Sequence, residues 1–305
     1  MVLKIGVSTG DDDPRNIAAK QFAKEINEKT DGAIKAALYP SGQLGGDAVL
    51  IDALAQNTGK VDIVISDASN FATYQPEMGI SALPFLFDDF DEAWAFMDSD
   101  IEAEAEEKLV KNNIRVLAHY CNGFRCVTNS KKTIELPADM NRLIIRTPEN
   151  PVIMDTMTAL GATPMPLSFS ELYGALKAGN YDAQENPIPV IYNNKLYEVQ
   201  EYLSVTNHIY SGMCFAISES KWDQMTKEQQ DIISAAAENS AITDRKMNRE
   251  QTESLLDALK AEGMKVNEPD LEPFKEATQT VINNNAVIYG HLFDRLQDYL
   301  SEQEQ

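Results

Sequence analysis

Arg125 and Arg146 occupy unusual places for arginines. Arg146 closes the apolar run 143–145 and precedes a Thr-Pro pair, whereas Arg125 lies between apolar residues within 122–128. Open α/β sheets bind ligands at the carboxyl ends of their strands, and a guanidinium can pair with a carboxylate through two parallel hydrogen bonds. Both arginines are therefore candidates for binding a small carboxylate. The alternative for each is an ion pair with one of the chain's own 48 acidic residues.

A third polar stretch, 181–187, contains Glu185 and Asn186 immediately before a proline. We interpret it as a loop at a strand end, where the Asn186 amide can offer both a donor and an acceptor to a ligand. Capping of the loop by the same amide is the alternative. The glycine-rich turn 42–46 is a weaker indication of anion binding, because any strand-to-helix turn contains such glycines.

Signatures of catalysis and metal binding are missing from the sequence. It contains no nucleophile elbow, phosphate-binding loop, dinucleotide fingerprint or His-Glu-x-x-His motif. The three histidines show no metal-ligand spacing, and we interpret them as packing or polar residues. Cys121, Cys126 and Cys214 are too few and too irregular for a disulfide framework or a zinc cage, so we predict buried free thiols. We predict no catalytic group, cofactor or metal.

Composition limits the partners. The chain has 305 residues and a formal net charge of −22, which excludes a nucleic-acid binder because phosphate neutralisation needs a basic surface. No apolar run approaches the roughly 18–20 residues of a membrane helix. The first residues alternate like a strand and show no signal peptide, so we expect a cytoplasmic protein or a mature form without its leader. The expected partner is a small molecule or another protein.

Strand and helix signals alternate from the first residues, which is typical of a parallel sheet covered by helices. Asp13-Pro14 predicts a helix start, since Asp caps helices and Pro fits the first turn. Strands are predicted at 3–7, 36–39, 61–65, 114–121, 124–128, 142–146 and 210–217. Helices are predicted at 14–26, 47–55, about 91–111, 151–160, 169–178, 188–199 and 226–261.

The helix predicted from Thr226 opens with a capping box. About 35 helical residues extend roughly 50 Å, which is enough to brace two lobes. A chain of this length is expected to form two domains, because single cores rarely grow beyond about 250–300 residues. Since no flexible linker separates them, we expect a hinge built from crossing strands and helices.

Taken together, these stretches resemble the solute-binding proteins of tripartite ATP-independent periplasmic (TRAP) transporters, of the type that binds C4-dicarboxylates or sialic acid. The resemblance extends over nearly the whole chain as an ordered series of short matches. They lie at 39–45, 122–125, 145–148, 161–166, 169–173, 182–187, 197–200 and 206–208.

The resemblance implies two α/β lobes joined by crossover strands and a long helix, with the ligand in the cleft between them. The implied first lobe is 1–122 with about 210–250, and the second is 123–209 with about 251–305. The protein is then an extracytoplasmic, monomeric binding protein that delivers its ligand to TRAP membrane subunits without a cofactor.

The same resemblance implies the site residues. The carboxylate clamp falls on Arg146, the supporting arginine on Arg125, the amide contact on Asn186 and the aromatic floor on Phe169, with Glu185 beside them. The contacts of the first lobe fall near Thr9, Asp47, Asp67 and Asn70.

Glu149 and Asp67 depart from the pattern of the sialic-acid binders. By resemblance, those proteins have an asparagine at the position of Glu149 and a glutamate, one methylene longer, at the position of Asp67. Two carboxylates suit a polyhydroxylated acid whose hydroxyls donate to them, and they also suit the ammonium group of an amino acid. We therefore expect a sugar acid such as a hexuronate. Sialic acid, dicarboxylates, and amino, aromatic and keto acids are the alternatives.

The expected mechanism is capture by lobe closure, which excludes water and strengthens each polar contact with the ligand. A remote alternative is a hydrolase or lyase acting on a small acid, for which Glu185 or Asp67 is the candidate base. A signalling or scaffolding protein is a third class, and it would bind no small molecule.

Overall fold

The computed structural model describes residues 1–303, which form strands and helices in alternation. The strands are β1 (Val2–Gly6), β2 (Lys35–Tyr39), β3 (Ile63–Asp67), β4 (Ile114–Asn129), β5 (Ile144–Thr147), β6 (Thr163–Pro166), β7 (Ala183–Pro187), β8 (Tyr202–Ser218) and β9 (Lys265–Asn267). The α-helices are α1 (Pro14–Lys29), α2 (Asp47–Ala55), α3 (Phe90–Met97), α4 (Asp100–Glu107), α5 (Pro151–Ala159), α6 (Leu172–Lys177), α7 (Ile188–Asn193), α8 (Glu219–Trp222), α9 (Lys227–Ala261), α10 (Glu272–Tyr289) and α11 (His291–Gln303).

One sheet runs through the molecule in the order β2-β1-β3-β8-β4-β7-β5-β6, with β9 beside β8. β1 pairs in parallel with β2 and β3, which confirms the predicted parallel beginning, and β5 pairs in parallel with β6 and β7. The long strands β4 and β8 lie between these halves and pair antiparallel with each other. The fold is thus α/β with two lobes: the first lobe is built on β1–β3 with α1–α4, and the second on β5–β7 with α5–α7.

The two parallel halves point toward the same central region. Asp67, which ends β3, pairs with Met213 of β8, and Pro187, which ends β7, pairs with Arg125 of β4. The carboxyl ends of both sets of strands therefore meet the middle of the β4–β8 pair. Ligands of open α/β sheets bind at such strand ends, so this topology places the side chains of both lobes around one cleft.

Apolar side chains form clusters within each lobe and one cluster that both lobes share. The shared cluster joins α2–α4 of the first lobe to Val152 and Ile153 of α5. In the first lobe, Phe22 of α1 and Phe215 of β8 meet edge to face with centroids 4.8 Å apart, beneath α9. In the second lobe, one cluster lies beneath α6 and α7 and another lies around Phe274 of α10. Each lobe therefore has buried apolar side chains of its own, and the shared cluster packs α5 against the first lobe.

Helix α9 links the two lobes, as the sequence predicted. Its capping box is present: the Thr226 hydroxyl accepts from the Gln229 amide at 3.2 Å, and the Gln229 side chain accepts in return at 3.0 Å. α9 contacts α1 and β4 in one direction and α7 in the other. Asn248 fixes its middle by donating to the Cys121 carbonyl of β4 at 2.7 Å.

Strand β4 was predicted as two strands, 114–121 and 124–128, but it is continuous. Register shifts against β8 between Val116 and Ala118, and between Cys121 and Gly123, bend it without ending it. Gly123 has a φ of 114°, which only glycine adopts readily. The predicted strand 210–217 is likewise the second half of the longer β8.

Three other predictions were wrong. The helix predicted at 91–111 is interrupted after Met97, where Ser99 accepts from the Ile101 amide at 3.3 Å and starts α4. The helix predicted at 188–199 ends at Asn193, and Lys195 adopts a left-handed φ of 55°. The stretch 181–187 is largely the buried strand β7, not a loop, because its polar side chains find partners inside the protein.

Beyond α9 the sequence reading identified no elements, yet β9, α10 and α11 follow. α10 contacts α5 of the second lobe, and α11 contacts α4 of the first lobe. The three cysteines are free and buried, as predicted. Among residues 1–303, none of the helices combines the length and the apolar character that crossing a membrane requires.

Candidate functional site

The interlobe cleft brings together eight of the ten residues predicted from the sequence. The first lobe contributes Thr9, Asp47, Asp67 and Asn70. The other side is formed by Arg125, Arg146, Phe169 and Asn186. Thr9, Asp67, Asn70, Arg146 and Asn186 lie at or just beyond the carboxyl ends of β1, β3, β5 and β7. Asp47 and Phe169 follow β2 and β6, and Arg125 lies within β4.

Arg146 is a buried guanidinium without an acidic partner. It lies in β5 with 3% of its surface exposed, and its Nε donates to the Leu167 carbonyl at 2.8 Å, as does Nη2 at 2.5 Å. Among residues 1–303 no carboxylate forms an ion pair with it. Burial lowers the pKa of Arg146 to about 10, so the group still carries its positive charge at neutral pH. The charges of Glu185 and Asp47 oppose part of this lowering of the pKa without an ion pair to Arg146, so the guanidinium remains able to bind an anion.

Arg125 is equally buried but is already paired. The Glu185 carboxylate accepts from its Nε and, at 2.8 Å, from its Nη2. Nη2 also donates to the Glu185 carbonyl at 2.8 Å and to the Asn186 side chain at 3.2 Å. For Arg125, therefore, the alternative of an ion pair within the chain is the observed one. For Arg146 it is not.

Glu185 lies behind this pair and is not among the residues that line the cleft. It has no exposed surface, and its Oε2 lies 3.4 Å from Nε2 of His208. Burial alone would raise its pKa, but the charge of Arg125 outweighs burial and lowers the pKa of Glu185 to about 2. Burial lowers the pKa of His208, which keeps the imidazole neutral. Glu185 is thus a fixed negative charge that neutralises Arg125.

Asn186 is held by its neighbours along β7. Its Oδ1 accepts from Arg125, and its Nδ2 donates to Gln184 Oε1 at 2.6 Å. Gln184 in turn donates to the Thr128 hydroxyl at 2.8 Å. This chain of hydrogen bonds fixes which way the Asn186 amide faces, so its position in the cleft is set before any ligand arrives.

Asp47 presents a carboxylate from the first lobe. It is the first residue of α2, and its Oδ1 accepts from the hydroxyls of Ser8 at 3.3 Å and Ser66 at 3.0 Å. Asn70 donates to the same Ser66 hydroxyl at 3.0 Å. No other polar contact of Asp47 is formed within residues 1–303, which leaves its second oxygen available to a donor in the cleft.

Asp67 presents a second carboxylate at the end of β3. Its Oδ1 accepts from the backbone amide of Ser69 at 3.0 Å and from the Ser69 hydroxyl, and its Oδ2 accepts from the hydroxyl of Ser211. Thr9 lies near this wall, with its carbonyl bonded to Asn16 at 3.0 Å. The first lobe therefore places two carboxylates at the cleft, Asp47 and Asp67, whereas the second lobe places the unpaired guanidinium of Arg146 there.

Phe169 provides an apolar surface beside Arg146. It begins a 3₁₀ turn after β6, and its ring centroid lies 6.0 Å from Cζ of Arg146. At that distance the ring attracts the guanidinium and shields it from water.

Glu149, like Glu185, is a predicted site residue that does not line the cleft. It is exposed, and the buried residue at this turn is the next one, Asn150. Asn150 caps α5 by accepting from the Ile153 amide at 3.1 Å, and it donates to the Ser69 hydroxyl of the first lobe. The turn after Pro148 thus directs Asn150 inward and Glu149 outward.

Six cleft residues were missed as contacts by the sequence reading: Ser8, Arg15, Asn122, Pro148, Val190 and Met213. Arg15 is the most informative, since only 5% of its surface is exposed. Its Nε pairs with Asp13 at 2.9 Å and its Nη2 donates to Asn122 at 2.6 Å. The available signal was its place directly after the Asp-Pro helix start that follows β1, where a strand end and a helix start meet.

The lobes also approach each other at the edge of the cleft. A Cβ added at Gly46, which precedes α2, would stand 2.9 Å from the Ser168 hydroxyl of the second lobe. The Asn150–Ser69 hydrogen bond is a second contact between the lobes. Small side chains at these places permit close apposition of the two walls.

Known proteins with similar sequences are binding proteins. The 2,3-diketo-L-gulonate-binding periplasmic protein YiaO of Escherichia coli is 34% identical over 276 residues, covering 90% of this chain and 84% of YiaO. The sialic acid-binding periplasmic protein SiaP of Vibrio cholerae is 35% identical over 278 residues, covering 91% and 86%.

The fold is also that of a solved binding protein. A TRAP periplasmic solute-binding protein from Polaromonas, crystallised with D-erythronate, superposes with a TM-score of 0.93 at 33% identity and covers 97% of this chain and 98% of its own. Such proteins are non-enzymatic parts of transport systems that act outside the cytoplasm. Residues 5–289 match the DctP family model, described as bacterial extracellular solute-binding protein, family 7. Together with the two-lobed fold and the cleft, this match shows that the chain belongs to the DctP family of TRAP solute-binding proteins.

Proposed function

We propose that this protein captures a small polyhydroxylated carboxylate, a sugar acid such as a hexuronate or an aldonate, with Arg146 as the clamp of its carboxylate. The observation that carries the proposal is the unpaired, buried charge of Arg146. A ligand carboxylate would supply the missing anion through charge-assisted hydrogen bonds, each worth about 1.5–3 kcal/mol.

The side chains of the first lobe favour a ligand that carries hydroxyl groups on the part facing them. Asp47 and Asp67 face the cleft as acceptors, and a hydroxylated chain donates to carboxylates. A dicarboxylate would direct its second negative charge toward these two groups, which is unfavourable at short range in a low dielectric. YiaO and the Polaromonas protein, which are named for or crystallised with hydroxylated carboxylates, agree with this preference.

Arg125 and Asn186 serve in this proposal as positioned donors beside the clamp. Because Glu185 neutralises Arg125, the pair adds hydrogen bonds and shape but little net charge. Phe169 forms the floor beneath the ligand, and Thr9 and Asn70 complete the wall of the first lobe. Glu149 has no role in ligand binding because it is exposed.

Capture by closure follows from the way the lobes are joined. We place the boundaries near residue 122 in β4 and residue 210 in β8, close to the register shift and beside the cleft. Bending there swings the lobe bearing Asp47 and Asp67 over the lobe bearing Arg146. The closed, periplasmic monomer then delivers its ligand to the membrane subunits of a TRAP transporter.

A thermal-shift panel tests the ligand class. Uronates, aldonates, sialic acid, C4-dicarboxylates, an amino acid and an aromatic keto acid are each added to the purified protein. Stabilisation by a hydroxylated monocarboxylate is expected, and isothermal titration then gives its Kd. Stabilisation by dicarboxylates alone would overturn the sugar-acid assignment, and stabilisation by the amino acid alone would reassign Asp47 and Asp67 to an ammonium group.

A further inference from the structure

A second cluster of polar side chains lies inside the first lobe, away from the lining of the cleft. Glu106 of α4, His119 of β4 and Cys214 of β8 bring a carboxylate oxygen, an imidazole nitrogen and a thiol sulfur within 4.8 Å of one another. The residues are far apart in sequence, which is why their spacing showed no metal motif. Oxygen, nitrogen and sulfur donors converging in this way form the ligand set that zinc prefers.

The imidazole of His119 is oriented as metal-binding histidines are. Its Nδ1 lies 3.2 Å from Asp98 Oδ1, and Arg245 holds the Asp98 carboxylate with two hydrogen bonds of 2.6 and 2.7 Å. Arg245 also donates to the His119 carbonyl at 2.9 Å. Nε2 therefore points at Glu106, 2.5 Å from its Oε1. A carboxylate on one imidazole nitrogen that directs the other nitrogen to a cation is the usual outer shell of a zinc ligand.

Glu102 is an independent observation that points to a cation. It lies one helical turn before Glu106 on the same face of α4, and none of its surface is exposed. Neither of its carboxylate oxygens has a hydrogen-bond partner among residues 1–303. Its place on the buried face of α4, four residues before Glu106, brings this carboxylate to the side of the helix that carries the cluster. An unpartnered buried carboxylate is costly unless a cation or a proton compensates it.

We propose that Glu106, His119 and Cys214 form a binding site for a divalent metal ion of the zinc class, with Glu102 as a buried negative charge behind it. Tetrahedral zinc with bonds of about 2.0–2.3 Å separates its ligand atoms by roughly 3.3–3.6 Å. The Sγ–Oε1 distance between Cys214 and Glu106 is 3.8 Å, close to that value. The shorter Nε2–Oε1 contact must open by about 1 Å, which rotation of the Glu106 side chain allows.

Access and proton balance are compatible with such a site. The side chains of His119 and Glu106 are 12% and 13% exposed, so an ion can reach them from the surface. Binding releases the Cys214 thiol proton and any proton shared by the imidazole and the carboxylates, because metal ligands must be deprotonated. The competing arrangement without metal is an imidazolium between Asp98 and Glu106 with a protonated Glu102.

The site lies directly behind the cleft. Cys214 is paired with Ser66 in the sheet, and the neighbouring pair is Met213 with Asp67, both of which line the cleft. A bound ion would tie α4 to β4 and β8 and so stiffen the strands that carry the acidic wall of the first lobe.

Metal titration of the chelator-treated protein tests the proposal. With Zn²⁺ we expect one high-affinity site per chain by isothermal titration, and with Co²⁺ a thiolate-to-metal charge-transfer band. Cys214→Ser should abolish that band and weaken Zn²⁺ binding about 100-fold or more. Cys126→Ser is the matched control, since its buried thiol donates to Asn207 at 3.2 Å in the second lobe, and it should bind like the parent.

Glu102→Gln provides a second variant that retains the shape of the side chain. It should weaken Zn²⁺ binding at least about tenfold while the circular dichroism spectrum stays unchanged. Absence of a thiolate band with Co²⁺, or equal Zn²⁺ affinity in the parent and Cys214→Ser, would overturn the metal site in favour of the protonated arrangement. Neither result depends on the ligand of the interlobe cleft, so the two proposals fail independently.

Discussion

Arg125 and Arg146 are both buried beside the same cleft, and they differ in what neutralises them. Arg125 has a carboxylate from its own chain, Glu185, on two of its nitrogens, and Asn186 and Ser211 on its remaining donors. Among residues 1–303, Arg146 donates to the Leu167 carbonyl and lies beside the ring of Phe169, and no carboxylate pairs with it. Arg125 is thus paired within the fold, whereas we propose that Arg146 is paired by the ligand.

The difference separates a structural charge from a binding charge. Burying an ion is unfavourable by several kcal/mol unless a partner compensates it. For Arg125 the compensating carboxylate, Glu185, is part of the chain, so this ion pair contributes to the stability of the folded protein. For Arg146 we propose that the compensating carboxylate arrives with the ligand and therefore contributes to affinity, which predicts unequal losses of stability for the two substitutions.

The largest effect is expected from Arg125→Met. It leaves Glu185 buried without its cation and should reduce the free energy of unfolding by about 3–5 kcal/mol. Arg146→Met removes a hydrogen-bonded group but strands no carboxylate, so its loss should stay near 1 kcal/mol. Urea denaturation followed by circular dichroism measures both values. Equal losses would contradict the distinction between the two arginines.

The stability that Glu185 contributes through its ion pair with Arg125 should depend on pH. The pKa of Glu185 is about 2 in the folded protein against an ordinary 4.5, so the stability it contributes is complete above pH 4.5 and disappears as the pH falls toward 2. Glu185→Gln should be less stable than the parent at pH 7, and the difference should shrink by about 3 kcal/mol at acid pH. A difference that stays constant from pH 7 to pH 2.5 would refute the lowered pKa.

An intermediate effect is expected where the lobes touch. Gly46→Thr keeps a favourable cap for α2 but places a branched side chain against Ser168, 2.9 Å from the new Cβ. Such crowding disfavours the closed form by about 1–3 kcal/mol and should weaken ligand binding about tenfold. Gly174→Ala, which meets nothing within 4 Å, is the matched control. Unchanged affinity in Gly46→Thr would argue against closure at this edge.

The smallest effect is expected from Glu149→Gln. The side chain is exposed, so the substitution should leave stability within about 0.5 kcal/mol and ligand affinity within about threefold. Titration calorimetry with the ligand found by the thermal-shift panel measures the affinity. A tenfold loss would restore Glu149 to the binding site.

Local patterns in the sequence were enough to find the strand ends and the helix starts. The Asp13-Pro14 cap, the capping box at Thr226 and the apolar run before Arg146 each encode their structure within a few residues. The resemblance to TRAP binding proteins then supplied the two-lobed fold and the residues proposed for the cleft. The caps and strand ends could be predicted because each depends on residues that are close together in the chain.

Features that depend on distant partners could not be predicted. Polar residues in β7 looked like a loop because the side chains that satisfy them, on Arg125 and Thr128, are more than fifty residues away. Glu149 looked like a contact because the direction of a turn is not visible in the sequence. The cluster of Glu106, His119 and Cys214 had no motif, since three separate elements form it.

Measuring the affinities of two ligands for two proteins tests the proposed role of Arg146 most directly. The tightest-binding aldonate of the panel and the matching alditol, which lacks the carboxylate, are titrated into the parent and into Arg146→Met. The parent should prefer the acid by about tenfold to a hundredfold or more, the equivalent of 1.5–3 kcal/mol. Arg146→Met should bind both compounds equally and weakly. If Arg146→Met keeps the parent's preference for the acid, Arg146 is not the carboxylate clamp.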